Sequence, residues 1–228
     1  MIDHAHDLAL LRQADERLLT ALEKLDDAAV AAPSRLPGWT RGHVLAHLAR
    51  NADALVNVLA GRPMYLSAEA RDADIDRDSP RPLAAQLTDL RTSGRRFTEA
   101  TAAPADWSRT VTLRNGVTDS ASRVPFRRLI EVELHHVDLG IGYELEDLSA
   151  EFTARETEFL TDRFTDHPDV PATRLTAPDG RQWHTGRTEG DPVRVTGTPA
   201  DLLGWLSGRR DGSALRTEGG PLPALPPL

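Results

Sequence analysis

The stretch from Phe126 to Ile141 reads as a helix that is enclosed on two sides and yet carries ionisable residues. At about 100° per residue, Phe126, Ile130, Leu134, Val137 and Ile141 form one apolar stripe, while Val132 and Leu139 lie on nearly the opposite side. Glu131, His135 and Asp138 fall in the sector between the two. That predicts a polar face directed into an interior cleft, with Glu133 and His136 facing water. Glu131 and His135 are one helical turn apart and can aim lone pairs at one object. A metal ion is such an object; an ordinary surface Glu–His pair is the plainer alternative.

A third donor has to come from another segment. The helix expected from Arg41 to about Leu59, with Thr40 as its cap, places Val44, Leu45, Leu48, Leu55, Val56 and Leu59 on one broad face and His47 at its border. A histidine at such a border is commonly a hydrogen-bonded core residue. With Glu131 and His135 offered by a second helix, however, His47 completes a set of three N and O donors. Three protein ligands leave one position open, the arrangement of a catalytic rather than a structural zinc. His43, one turn from His47, is the reserve candidate.

The rest of the chain supplies the frame. Residues 4–28 carry leucines at helical spacing, and Ser79-Pro80 reads as cap and first position of a helix through Leu83, Leu87, Leu90 and Phe97 to about Ala103. Between them, residues 61–78 read as a polar connection anchored by Tyr65, Leu66 and Ile75, lying over a site or merely solvated. Residues 107–124 break the helical pattern and read as a short hairpin around Asn115-Gly116 or as an extended loop. Four amphipathic helices with a crossover between the second and third argue for a four-helix bundle with a site in its core.

After Gly140 the pattern changes. A helix is expected from Glu146 to Asp166 with Ser149 as a possible cap. Short alternating runs at 173–176, 182–184 and 192–195 then read as a small antiparallel sheet. Thr198-Pro199 starts a short helix closed by Gly208, and the tail at 221–228 should be extended. The expected class is therefore α+β, with a metal-binding four-helix bundle over 1–145 and a smaller α/β domain over 146–228.

Composition removes several function classes. With 27 basic against 35 acidic residues the net charge is -8, and no basic stretch is dense enough to track phosphates, which argues against a nucleic-acid partner. The start lacks a basic, then apolar, leader, and no run approaches the ~18 apolar residues of a membrane span; a cytoplasmic location is expected. The chain has no cysteine, so thiol chemistry here would require a thiol brought in from outside.

Four segments carry a resemblance: Leu36-Pro-Gly-Trp39-Thr-Arg-Gly-His43-Val-Leu-Ala-His47, Ser67-Ala-Glu-Ala-Arg71-Asp-Ala-Asp-Ile75, Glu131-Val-Glu-Leu-His135-His-Val-Asp138-Leu-Gly, and Thr196-Gly-Thr-Pro-Ala-Asp-Leu-Leu-Gly-Trp205-Leu-Ser-Gly-Arg209. In this ordered set the chain resembles the mycothiol-dependent maleylpyruvate isomerases of actinobacteria, whose N-terminal half belongs to the DinB-like metal-binding bundles. The resemblance implies zinc on His47, Glu131 and His135, mycothiol as the thiol cofactor, and a catalytic arginine at Arg209, with Arg210 as the adjacent alternative. It also implies that the C-terminal domain folds back to bring Arg209 to the metal cleft. The implied reaction is thiolate addition to a cis double bond, rotation, and elimination of the trans isomer. Two other functions remain open: a mycothiol S-transferase that conjugates electrophiles, and a non-catalytic small-molecule carrier. The expected partners are a low-molecular-weight thiol and a small electrophilic or carboxylate substrate.

Overall fold

Asp3, Asp26, Thr40 and Ser67 each accept a backbone N–H from the turn that follows, and each starts a helix. The computed structural model describes residues 3–103 and 105–227. The chain divides into two units, Met1–Tyr143 and Glu144–Leu228.

In the first unit, α1 (His4–Leu22) and the short α2 (Asp27–Ala31) take the place of the single helix expected over 4–28. α3 (Arg41–Leu59) follows, then α4 (Ala68–Asp78), α5 (Leu83–Ala102), a two-stranded antiparallel hairpin of β1 (Thr110–Thr112) and β2 (Thr118–Ser120), and α6 (Val124–Asp138). α6 packs on α1 and α3, α3 packs on α5, and α4 lies on α3. The core between them is Leu45, Leu48 and Leu55 of α3, Leu90 and Phe97 of α5, and Leu129, Val132 and Val137 of α6, all buried. Each such side chain contributes about 1.5–3 kcal/mol by leaving water.

The polar connection expected over 61–78 is in large part α4. Ser79 is its C-cap, not the start of the next helix; α5 begins at Leu83, whose N–H donates to the Asp27 carboxylate at 2.7 Å. Glu133 and His136 do not face water. Both are buried, Glu133 by an ion pair with Arg17 and a 2.8 Å bond from the Tyr143 hydroxyl, His136 by stacking on the Tyr143 ring at 4.1 Å.

The second unit opens with α7 (Ala150–Phe164), capped by Ser149. A four-stranded sheet follows, of β3 (Thr173–Thr176), β4 (Gln182–Thr185), β5 (Val193–Thr196) and β6 (Arg216–Glu218), in the order β4-β3-β5-β6. The sheet is mixed, not purely antiparallel as expected, because β3 and β5 run parallel. α8 (Pro199–Leu206), capped by Thr198, crosses between β5 and β6 and packs on α7. Leu228, the end of the expected extended tail, and Met1 and Ile2 lie outside the described residues. Among the described residues no helix is long and apolar enough to cross a membrane.

Candidate metal centre

α3 and α6 cross with His47 facing Glu131 and His135. His47 Nε2 lies 2.9 Å and His135 Nε2 3.2 Å from the same atom, Glu131 Oε2. The two imidazoles meet edge to face, with ring centroids 4.7 Å apart. One nitrogen or oxygen from each of the three falls within 4.8 Å of the others, and among the described residues no other group of three His, Asp or Glu side chains does so. Side-chain exposure rises from 7% at His47 through 14% at His135 to 31% at Glu131. The cluster is thus floored by the bundle and open on the Glu131 side.

His135 is oriented from behind. His135 Nδ1 lies 2.8 Å from Asp138 Oδ2, one turn along α6, and the Asp138 side chain is 1% exposed. Asp138 thereby fixes the ring, with Nε2 as the nitrogen turned to the cluster. The Arg35 N–H donates to the Asp138 carbonyl at 2.8 Å, tying the loop before α3 to the end of α6. Arg71 of α4 approaches His47 Nδ1 at 3.2 Å, while its other terminal nitrogen bonds Asp72. Arg128, buried one turn before Glu131, donates to the Leu48 carbonyl and to Asn51 Oδ1 at 2.8 and 2.9 Å, holding α3 against α6.

The electrostatics follow from this packing. Burial alone would raise the Glu131 pKa, but the hydrogen bonds from His135 and His47 outweigh it and hold the carboxyl well below its usual range. Burial lowers the His47 pKa, only partly opposed by Glu131. His135 is buried as well, yet its pKa is raised, because it faces two carboxylates, Asp138 and Glu131. The centre therefore presents one fixed negative charge between two imidazoles.

Two imidazole nitrogens and a carboxylate oxygen form a donor set that zinc accepts. Bonds of about 2.0–2.1 Å in a tetrahedron separate donors by roughly 3.3 Å, so the 2.9 and 3.2 Å spacings need to open by only a few tenths of an ångström. The residues present fit the ion. His43 does not join them. Its Nδ1 lies 2.7 Å from Thr40 Oγ1 and accepts from the Thr40 N–H, so the reserve candidate serves as the capping box of α3.

Arg209 belongs to the second unit. α8 ends at Ser207, Gly208 turns the chain at φ +71°, and the Arg209 N–H returns to the Gly204 carbonyl at 2.7 Å. The Arg209 guanidinium donates to the Ser207 carbonyl at 3.0 Å. Arg210, its neighbour, is clamped between Asp201 at 2.6 Å and both Glu146 oxygens at 2.7 and 2.8 Å. Its charge is already compensated. The sequence places Asp138 in the cleft-facing sector of α6 but not as the partner of His135, and it gives Arg71 no role beyond the resemblance; the three-residue step from His135 to Asp138 signals the first.

The family described as mycothiol maleylpyruvate isomerase N-terminal domain matches residues 11–140, and the MDMPI C-terminal domain matches residues 147–227. Among solved structures, the crystal structure of the mycothiol-dependent maleylpyruvate isomerase superimposes with a TM-score of 0.89 at 27% identity, over 99% of this chain and 97% of that one. A crystal structure of a histidine-to-alanine mutant of that isomerase gives the same values. No curated protein sequence matches the chain.

Proposed function

The chain belongs to the mycothiol maleylpyruvate isomerase family, and on that premise we propose that it is a zinc- and mycothiol-dependent cis-trans isomerase of a maleylpyruvate-like substrate. The observation that carries this reading is the convergence of His47, Glu131 and His135 on one point, open on one side, in a chain without a cysteine. A zinc ion there would supply an open coordination position that lowers the pKa of an added thiol, so that a thiolate is present at neutral pH for addition to the double bond.

The chain's own residues prepare that chemistry. His47 and His135 supply neutral nitrogens, and Glu131 supplies the negative charge that offsets half of a dication. Asp138 keeps the His135 proton on Nδ1, away from the cluster. The bonds from Arg128 to α3 set the distance between the two donor helices. Arg71 places a fixed positive charge at the rim, suited to an anionic reactant. We assign the substrate-holding arginine to Arg209, not Arg210, because Arg210 already answers two carboxylates and Arg209 is the position that the family motif implies. Its planar fork suits a carboxylate or an enolate.

Turnover of maleylpyruvate by the purified chain, with zinc and mycothiol, tests the proposal. Formation of the trans product with mycothiol regenerated is the expected result. Net consumption of thiol into a conjugate would identify a transferase instead, and undiminished turnover in thiol-free buffer would sink both.

A further inference from the structure

Between the C-terminal end of α3, the loop at 61–68 and strand β1 lies a cleft of about 580 Å3 within the first unit, a size typical of small-ligand sites. Its lining includes Arg62, Arg109 and Arg114 and no aspartate or glutamate, in a chain whose net charge is -8. Elsewhere in the same unit Arg50, Arg77, Arg81 and Arg96 are all ion-paired. Among the described residues Arg62, Arg109 and Arg114 have no carboxylate within ion-pair distance.

Two of the three are nevertheless held in place. Arg109 donates to the carbonyls of Leu59 and Asp106, and Arg62 donates twice to Asn57 Oδ1, at 2.8 and 3.1 Å. These acceptors are neutral, so they fix the guanidiniums without cancelling their charge. Arg114 is exposed in the turn between β1 and β2. Val58, Met64 and Leu113 add apolar wall between the cations. Fixed positive charge beside apolar surface suits a small organic acid better than a bare inorganic anion.

Tyr65 connects this cleft to the metal centre. It lines the cleft, its ring lies 5.9 Å from the guanidinium carbon of Arg71, and Arg71 reaches His47. A molecule seated against Tyr65 can therefore answer both places at once.

We infer that this cleft binds the carboxylate and apolar stem of a small organic anion whose reacting end lies toward the metal centre, with Arg62 and Arg114 as the residues that select for the charge. The identity of the reacting end rests on the isomerase reading above; the affinity for the anion does not. Calorimetric titration of the full chain with maleate, the probe, is compared between wild type, Arg114→Gln and the Arg62→Gln/Arg114→Gln double variant. Both side chains are exposed, and an unchanged melting temperature establishes that the variants fold. Affinity should fall roughly tenfold for each arginine removed, as loss of a charge-assisted contact does, and should weaken with added salt. The KM for maleylpyruvate should rise in step. Maleate binding that is as tight in the double variant as in wild type would overturn the inference, and so would equally tight binding of inorganic phosphate. Arginine-dependent maleate binding without any maleylpyruvate turnover would reject the isomerase reading and leave this one standing. Thiol-dependent turnover with an unaltered KM in the double variant would do the reverse.

Discussion

Asp138 meets the cluster through His135 and decides which nitrogen of that ring is available. A carboxylate at 2.8 Å, nearly sealed from water, holds a proton on Nδ1 far better than a neutral amide can. Asp138→Asn keeps an acceptor of the same shape and removes the charge, so zinc affinity should drop about 10- to 100-fold, as it does on loss of comparable supporting carboxylates. Competition with a chromogenic chelator measures it; affinity equal to wild type would make Asp138 a packing residue only. Glu131→Ala removes a charged donor outright, and metal content after dialysis should fall well below half. Full occupancy in that variant would dismiss the proposed ligand set. For the arginine pair the contrast is sharper. Arg209→Lys should lower turnover by roughly 10²-fold with metal content unchanged, because an ammonium cannot reproduce a planar fork. Arg210→Lys should instead act on the stability of the second unit, through Asp201 and Glu146. If Arg210→Lys alone reproduces the loss of turnover, the assignment is reversed.

The elements that carry these residues are set by a mixture of local and distant contacts, and that mixture decides what the sequence could reveal. α6 was legible because its apolar stripes and its Glu131, His135, Asp138 sector repeat at helical spacing, and the 107–124 hairpin because Asn115-Gly116 takes positive φ, 59° and 74°. α4 was not, since Ile75 is its sole buried apolar residue and no stripe exists to find. Ser79-Pro80 suits a helix start and a helix end equally well; what starts α5 three residues later is Asp27, 56 positions away in sequence. Glu133 and His136 were expected in water for a similar reason. Their cover is Arg17 and Tyr143, which no periodicity within α6 could disclose. One close approach fixes α4 to α3: a Cβ on Gly42 would stand 2.1 Å from the Ser79 carbonyl oxygen. The buried Gln86 side chain of α5 donates at the same place, to the Asp78 and Ser79 carbonyls at 2.9 and 3.2 Å. Gly42→Ala must push α4 away, at a cost of about 1–3 kcal/mol for overpacking, and Arg71 shifts with it. Urea unfolding gives the stability; a variant as stable as wild type would show that the two helices have room to spare.

At the scale of the whole molecule, the metal should act as a stabilising ligand of one unit and not of the other. His47, Glu131 and His135 all belong to Met1–Tyr143, and none to Glu144–Leu228. An unfolded chain offers the three donors scattered over 89 positions, His47 to His135, so zinc binds the folded bundle in strong preference. At a free concentration about 100 times its Kd, a ligand of this kind adds about 2.7 kcal/mol to the state that binds it. For a unit of this size that corresponds to a rise in melting temperature on the order of 10 °C. Calorimetry of the full chain, loaded and chelated, should show the gain in the transition that also responds to Gly42→Ala, while a transition that responds to Arg210→Lys stays in place. Glu131→Ala should abolish the gain without abolishing the transition, because the apolar core of α3, α5 and α6 is built from other side chains and stays in place. A zinc shift that persists undiminished in Glu131→Ala would mean that the ion binds elsewhere on the chain.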